Sequence, residues 1–187
     1  PVPSVAGHQA AASEYCIPGV EELNNVLTHV PTDDRLFKPS ENISTATLPF
    51  YSLYGGKPQS KDVFLAPSQV KTFDAALHQF FGLTNDGGAL HISTTATTPL
   101  VATARTYNQT ANGTYGQFIP AVTANDAAAL GTRPLQLLQI EESARHSTHL
   151  GLPRVPGRSA HVQLTATPHT PEATRAPPPH PPTHPHA

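Results

Sequence analysis

Apolar and polar residues alternate on both sides of a polar turn in residues 100–122. Asn112-Gly113 lies at the centre of this turn, and that dipeptide accepts the positive φ angles of tight hairpins. An extended strand through the first half divides its side chains between two faces, with Val101, Thr103, Arg105 and Tyr107 on one and Leu100, Ala102, Ala104 and Thr106 on the other. The pattern predicts a β-hairpin.

Five further segments have the short, alternating or β-branched pattern of strands, bounded by turn residues: 44–53, 60–66, 89–95, 134–141 and 160–166. With the two hairpin strands they make seven short strands at close spacing. Such spacing is typical of an all-β fold, here an antiparallel β-sandwich of Ig-like or jelly-roll-like type.

Two short helices interrupt this pattern. In residues 20–30 the apolar side chains of Val20, Leu23, Leu27 and Val30 recur at helical spacing, and Pro31 would end the helix. In residues 72–81, Thr72 or Asp74 can cap a helix that has Gly82 just past its end. Both segments are therefore predicted to be helical.

The chain divides into three parts on this interpretation. Residues 1–43 form an irregular N-terminal segment with a short helix, and residues 44–167 form the sandwich domain. Residues 168–187 are rich in Pro and His and contain no aromatic or large aliphatic residue. They bury too little surface to offset the entropy of ordering, so this tail is predicted to be disordered.

Composition excludes some functional classes. Lys and Arg number 11 against 13 Asp and Glu, and the basic residues form no run, so we expect no nucleic-acid partner. No apolar stretch approaches the roughly 20 residues that a membrane-spanning helix needs. Cys16 is the only cysteine, which excludes a disulfide within the chain and favours a buried, unreactive thiol.

Three Asn-x-Ser/Thr sequons begin at Asn42, Asn108 and Asn112. They would be glycan acceptors in a eukaryotic secretory pathway, or they arise by chance in a chain rich in Asn and Thr. Met is absent from the whole sequence, which fits a chain whose leader was removed or a fragment of a longer one. We expect an extracellular or cell-surface location.

Several segments resemble an all-β accessory module of uncharacterised secreted proteins from soil bacteria of the Acidobacteria type. The most specific is TARTYNQTANGTYGQFIPA, and the others are TATLPFYSLYGG, DVFLAPSQV, FFGLTNDGGALHIS and RPLQLLQIEESARHSTHLGL. The resemblance covers residues 45–164. It implies a sandwich domain within multi-domain exported proteins, and it carries no catalytic residue.

The sequence departs from this family at both ends. The match is poor before residue 44, and the further strands expected after residue 166 are replaced by the Pro/His tail. An incomplete sandwich has an exposed edge, and exposed edges pair with other strands. We therefore expect partners at the sheet edges, either other copies of the chain or neighbouring domains.

Catalytic and metal-binding motifs are weak. His146, His149 and His161 are the best metal ligands available, but histidines three apart converge on a helix rather than on a strand, and ordinary surface histidines are the alternative. No Gly-x-Ser-x-Gly motif occurs, and no spacing implies a triad. The chain is predicted not to be an enzyme and to need no cofactor.

The hairpin offers a second candidate site. Arg105 and Tyr107 on its first strand, with Tyr115 and Gln117 on its second, form a set of aromatic and hydrogen-bonding side chains. Arg105 and Gln117 are expected on matching faces, so the set can stack on and hydrogen-bond a sugar or peptide, such as a surface glycan. Ordinary cross-strand packing is the alternative.

Three functions remain, in order of preference. The first is a non-catalytic exported sandwich with a structural, adhesive or assembly role, which polymerises by pairing its edge strands. The second is a carbohydrate- or surface-binding module that uses the hairpin set. The third is a metal-dependent enzyme that uses the three histidines.

Overall fold

A computed structural model of the chain describes residues 13–24, 28–95, 100–126, 140, 150–153 and 161–165. The predicted tail, 168–187, and nearly all of the predicted strand at 134–141 lie outside these residues. The predicted strand at 160–166 is wrong over its described part, because residues 161–165 form no regular structure and their side chains are exposed.

The described residues form eight strands and two short helical turns. The strands are β1 (Glu14–Asn24), β2 (His29–Phe37), β3 (Ser44–Ser52), β4 (Gln59–Leu65), β5 (Val70–Phe73), β6 (Asp86–Thr94), β7 (Val101–Thr110) and β8 (Gly113–Pro120). A π-helical turn spans Leu77–Phe81, and a 3-10 turn spans Ala124–Asp126. The all-β prediction is confirmed.

The strands join edge to edge in the order β4-β3-β6-β1-β2-β7-β8, all antiparallel, with β5 beside β2. β2 passes from one half of this sheet to the other. Its first residues pair with the end of β1, and residues 32–37 pair with β7. Pro31 and Thr32 are buried in succession, so the strand changes its inward face where it changes partners.

Buried side chains from both halves of the sheet form one hydrophobic cluster. It contains alternate residues of the first half, such as Ile17, Leu48 and Ile92, together with Leu36 and Ala104 of the second. A sheet whose two halves share one core must fold over on itself, and the architecture is sandwich-like. A backbone pair between Cys16 and Val122 links the halves a second time.

The predicted helix at 20–30 is wrong. β1 extends to Asn24, and β2 begins at His29, so the described part of this segment is a pair of strands. β1 lies between β6 and β2, and these neighbours satisfy its backbone hydrogen bonds. The proposed boundary between residues 43 and 44 is wrong as well, because β1 and β2 belong to the same sheet as the later strands.

The second predicted helix is reduced to its last turn. β5 occupies Val70–Phe73, and only Leu77–Phe81 is helical, with no side-chain cap at its start. Gly82 ends the turn at a φ of 74°, as the sequence predicts. Leu77 and Phe81 are buried in the core, where Phe81 packs against Phe50.

The hairpin of residues 100–122 is confirmed, but its loop lies one residue earlier than predicted, and of Asn112 and Gly113 only the glycine has a positive φ. β7 and β8 pair from Thr103↔Pro120 to Thr110↔Gly113, so the two residues of the loop are Ala111 and Asn112. Gly113, at a φ of 129°, is the residue that needs the conformational freedom of glycine.

Candidate functional site

The outer edge of β8 is the first candidate site. β8 pairs with β7 along its whole length, and beyond its end Val122 bonds to Cys16. Among the described residues no strand pairs with the other edge of β8 itself. The strand reads GTYGQFIP and contains no charged residue. Its first five residues, 113–117, are all exposed, and Tyr115 is 67% exposed.

The opposite end of the sheet is different. β4, the other terminal strand in the sheet order, carries Lys61 and Asp62 near its middle. The Lys61 ammonium donates to the Phe80 carbonyl and lies 5.2 Å from the centre of the Phe80 ring. Asp62 accepts a hydrogen bond of 2.7 Å from Thr47. Charged residues on an edge strand discourage pairing with other chains, and β8 lacks this protection.

The four hairpin residues predicted to bind a ligand do not share a face. Arg105 pairs with Phe118 and Tyr107 with Gly116, whereas Tyr115 pairs with Asn108 and Gln117 with Thr106. Directly paired residues point the same way and successive residues point opposite ways. Arg105 and Tyr107 therefore lie on one face, and Tyr115 and Gln117 lie on the other. The prediction of a single four-residue surface is wrong.

Arg105 and Tyr107 are occupied with each other and with their neighbours. The guanidinium of Arg105 lies 4.9 Å from the centre of the Tyr107 ring and donates to the Thr114 hydroxyl at 2.8 Å. The Tyr107 hydroxyl donates to Asp33 at 3.4 Å. Burial and the Asp33 carboxylate raise the pKa of Tyr107, and Arg105 opposes that shift. This is cross-strand packing, the alternative that the sequence left open.

A charged cluster continues across the same face onto β2 and the residues after β5. Arg35 donates to Asp74 at 2.7 Å and lies 3.8 Å from Asp33. Asp33 also accepts the Ala75 backbone N–H at 2.9 Å. Sequence reasoning missed this cluster, because its members come from three separate segments.

Sequence reasoning also missed the burial of Asp34. This residue points away from that cluster into the core and is 1% exposed, and neither carboxyl oxygen has a hydrogen-bond partner among the described residues. Burial, with the neighbouring Asp33 charge, raises the pKa of Asp34 from 3.8 to about 8, and Arg35 opposes this. At neutral pH the carboxyl is therefore mostly protonated.

The histidine site is not brought together within the described residues. His161 is exposed and lies in irregular structure, while His146 and His149 lie outside the described part of the chain. No group of three or more His, Cys, Asp or Glu side chains among the described residues can hold a metal ion. The metal site remains a prediction.

The sequons differ in accessibility. Asn42 is exposed, and Asn112 is exposed within the β7–β8 turn. Asn108 is half-buried, and its side-chain oxygen is buried with no hydrogen-bond partner in the part of the chain that the structure describes. Asn42 and Asn112 are therefore more accessible to a modifying enzyme than Asn108 is.

Cys16 is half-buried on β1, where burial raises the pKa of its thiol to about 11. A thiol with such a pKa contains little of the reactive thiolate at neutral pH.

In the described part of the chain, no helix is long and apolar enough to cross a membrane.

Comparisons with known proteins give one structural likeness. No model of a known protein family matches the sequence, and no curated protein matches it. The crystal structure of Thermotoga maritima 1070 superposes with a TM-score of 0.49 at 10% sequence identity, covering 60% of this chain and 95% of that one. A likeness at this level assigns neither a function nor a site residue.

Proposed function

We propose that the chain is a non-catalytic, exported β-structured module with an assembly role, and that it associates with a second copy by pairing the edges of β8. The observation that carries the proposal is the edge itself. It is eight residues long and uncharged, its residues 113–117 are exposed, and it is paired on one side only among the described residues.

An unpaired edge has hydrogen-bond donors and acceptors that a second strand can satisfy. Pairing would exchange bonds to water for bonds between chains, and cross-strand side-chain contacts would then decide the net gain. Tyr115 and Phe118 offer aromatic surface for those contacts, on opposite faces of β8. No charge on the strand opposes the approach of a second copy.

The charges of β4 favour a closed dimer over a chain of copies. Pairing of β8 with β8 of a second copy is symmetric and ends with two molecules. Pairing of β8 with β4 of the next copy would continue without limit. The latter would place Lys61 and Asp62 against an uncharged strand, so we favour the symmetric pair.

Sedimentation velocity of the full 187-residue chain across a concentration series tests this proposal. Gln117 is exposed on β8, and Gln117→Lys would bring two like charges together at a symmetric edge. The matched control is Gln59→Lys at the exposed start of β4. We expect the wild-type chain and the control to form the same dimer, and the Gln117→Lys variant to remain monomeric. Association that is equal in all three would refute the role of β8.

A carbohydrate- or surface-binding function is the second candidate, now restricted to one face. Tyr115 and Gln117 are both exposed, and they lie two residues apart on the same face of β8. An exposed ring beside an amide can stack on a sugar and bond to it. A Tyr115→Ala variant that loses binding in a glycan screen while it keeps its fold would support this function, and unchanged binding would end it.

The extracellular location and the relation to secreted proteins of soil bacteria belong to the same proposal. Their support is the three sequons at Asn42, Asn108 and Asn112 and the resemblance of residues 45–164. Detection of the protein in the culture medium of cells that express it, rather than inside those cells, would test them.

A further inference from the structure

Two residues of β2 hold the connection that follows β5. Asp33 accepts the backbone N–H of Ala75 at 2.9 Å, and Arg35 donates to the carboxylate of Asp74 at 2.7 Å. Both side chains lie on the same face of β2, because they are two residues apart on a strand. They fix the Asp74–Ala75 connection against β2.

This connection is strained. Ala75 has a φ of 46°, in the left-handed region that residues with a Cβ rarely adopt. Such a conformation persists only where neighbouring contacts enforce it, and here Asp33 and Arg35 make those contacts. If these two contacts are lost, the connection lowers its free energy by leaving the left-handed conformation.

Asp34 lies between these two residues and points the other way. Its direct cross-strand neighbours are Phe73 on β5 and Ala104 on β7. Phe73 is 8% exposed and Ala104 is 2% exposed, so the unpartnered carboxyl lies under apolar side chains on both sides. The protonated carboxyl tolerates that site far better than the carboxylate does.

The charged groups near Asp34 do not neutralise it. On its own strand Asp33 opposes its ionisation and Arg35 favours it, and Lys38, just past the strand, donates its ammonium to the Ser40 carbonyl. Lys71 of β5 lies on the same face as Asp34, and the remaining buried titratable side chains among the described residues are Tyr15 and Glu22 of β1. β7 contributes none there, since the residues on that face are Ala102, Ala104, Thr106 and Asn108.

Of the two strands that flank Asp34, β5 is held in place by fewer pairings. It pairs with β2 only over residues 70–73, and it lies off the main strand order with no second partner strand among the described residues. β7, the cover on the other side, pairs with both β2 and β8. Local opening follows the shortest and least supported element.

We propose that Asp34 is the trigger of a pH-sensitive latch, in which ionisation of its carboxyl releases β5 and the Asp74–Ala75 connection from β2. Release admits water to the carboxylate and relieves the strain at Ala75. The rest of the sheet stays folded, because β5 pairs only with β2, and β2 keeps its pairing with β7 when β5 leaves. The latch does not involve β8, so it stands or falls separately from the proposed dimer.

Hydrogen exchange resolved by residue tests the latch in the full chain at pH 6.5 and pH 9.5, with rates corrected for the intrinsic effect of pH. We expect the protection of the β5 amides to fall at least tenfold at the higher pH, while the amides of β3 and β6 keep theirs. Asp34→Asn keeps the shape of the protonated carboxyl and cannot ionise, so its β5 should stay protected at both values.

A second variant leaves Asp34 in place. Ala75→Gly removes the strain without touching the core, and it should move the opening of β5 to higher pH. Cleavage by trypsin after Lys71 gives an independent readout, with cleavage after Lys61 in β4 as the internal reference. β5 protection that does not change with pH in the wild-type chain would overturn the proposal. So would an equal loss in Asp34→Asn, or simultaneous loss of protection in β6.

Discussion

Tyr107 and Gly116 lie directly opposite each other in the β7–β8 hairpin, and the glycine has no room for a side chain. A Cβ at Gly116 would lie 2.5 Å from the Tyr107 Cβ and 2.3 Å from the Thr106 carbonyl oxygen. Both distances are far inside van der Waals contact. The close approach of these two residues therefore sets the local shape of the edge that we propose for assembly.

Gly116→Ala should destabilise the protein by about 2 kcal/mol, because the backbone of β7 would have to move to admit the methyl group. Urea unfolding followed by circular dichroism measures this. Gly19→Ala is the matched control, since its Cβ would meet only the Ile119 side chain at an ordinary 3.5 Å. The control should stay within about 0.5 kcal/mol of wild type. Equal effects of the two substitutions would contradict the packing described.

The buried carboxyl of Asp34 should make stability fall as the pH rises. Its folded pKa of about 8 lies above its ordinary value of 3.8, so its contribution is fully favourable below that ordinary value. Between these two values the unfolded chain ionises while the folded one does not, and stability falls by up to about 1.4 kcal/mol per pH unit. The loss is complete above the folded pKa.

Asp34→Asn should remove this slope. Urea unfolding at intervals from pH 5 to pH 9 would show a flatter profile for the variant, and at pH 9 the variant should be the more stable protein. A wild-type profile that is flat over this range, or a slope that the variant retains, would show that Asp34 is not the group responsible.

Two substitutions in β1 distinguish the strand from the helix that the sequence suggested. Val20 is fully buried and Leu23 is 36% exposed, whereas a helix at 20–30 would turn both toward the core. Val20→Ala should therefore cost about 2 kcal/mol, and Leu23→Ala less than about 1 kcal/mol. Comparable losses at both positions would favour the helix.

Cys16 should react slowly with thiol reagents. Its pKa of about 11 and its partial burial leave little accessible thiolate at pH 8. As the only cysteine, it can be followed by colour with a disulfide reagent. We expect the reaction to accelerate at least tenfold in urea. Complete labelling of the folded protein within seconds would contradict the burial of this side chain.

The sequence predicts local features of this fold well. β3, β4, β6 and the β7–β8 hairpin follow from alternating segments bounded by turn residues. The hairpin is the clearest case, because its two strands and its turn lie within one short segment. The sequence predicts a helix over residues 20–30 because Val20, Leu23, Leu27 and Val30 fit a helical spacing. In the structure Val20 pairs with Gly88 of β6, which is distant in sequence, and Leu23 pairs with Val30 across the β1–β2 pair.

The candidate sites depend on relations between strands that one sequence does not contain. A two-residue loop pairs odd-numbered residues of β7 with even-numbered residues of β8, so Arg105 and Gln117 face opposite ways. Asp34 reads as one of several polar residues in PTDDRLF, and only the packing of Phe73 over it shows that it is buried. The sequence predicts an exposed edge, but only the strand order shows that β8 is a strand with an unpaired edge among the described residues.

Exchange of the β8 amides at increasing protein concentration tests the assembly role most directly. The amides of β8 that are not bonded to β7 should exchange freely in dilute solution and become protected as the concentration rises, whereas those of β4 should not change. Gln117→Lys should abolish that added protection. Concentration-dependent protection that appears in β4 and not in β8, or in neither strand, would contradict assembly through this edge.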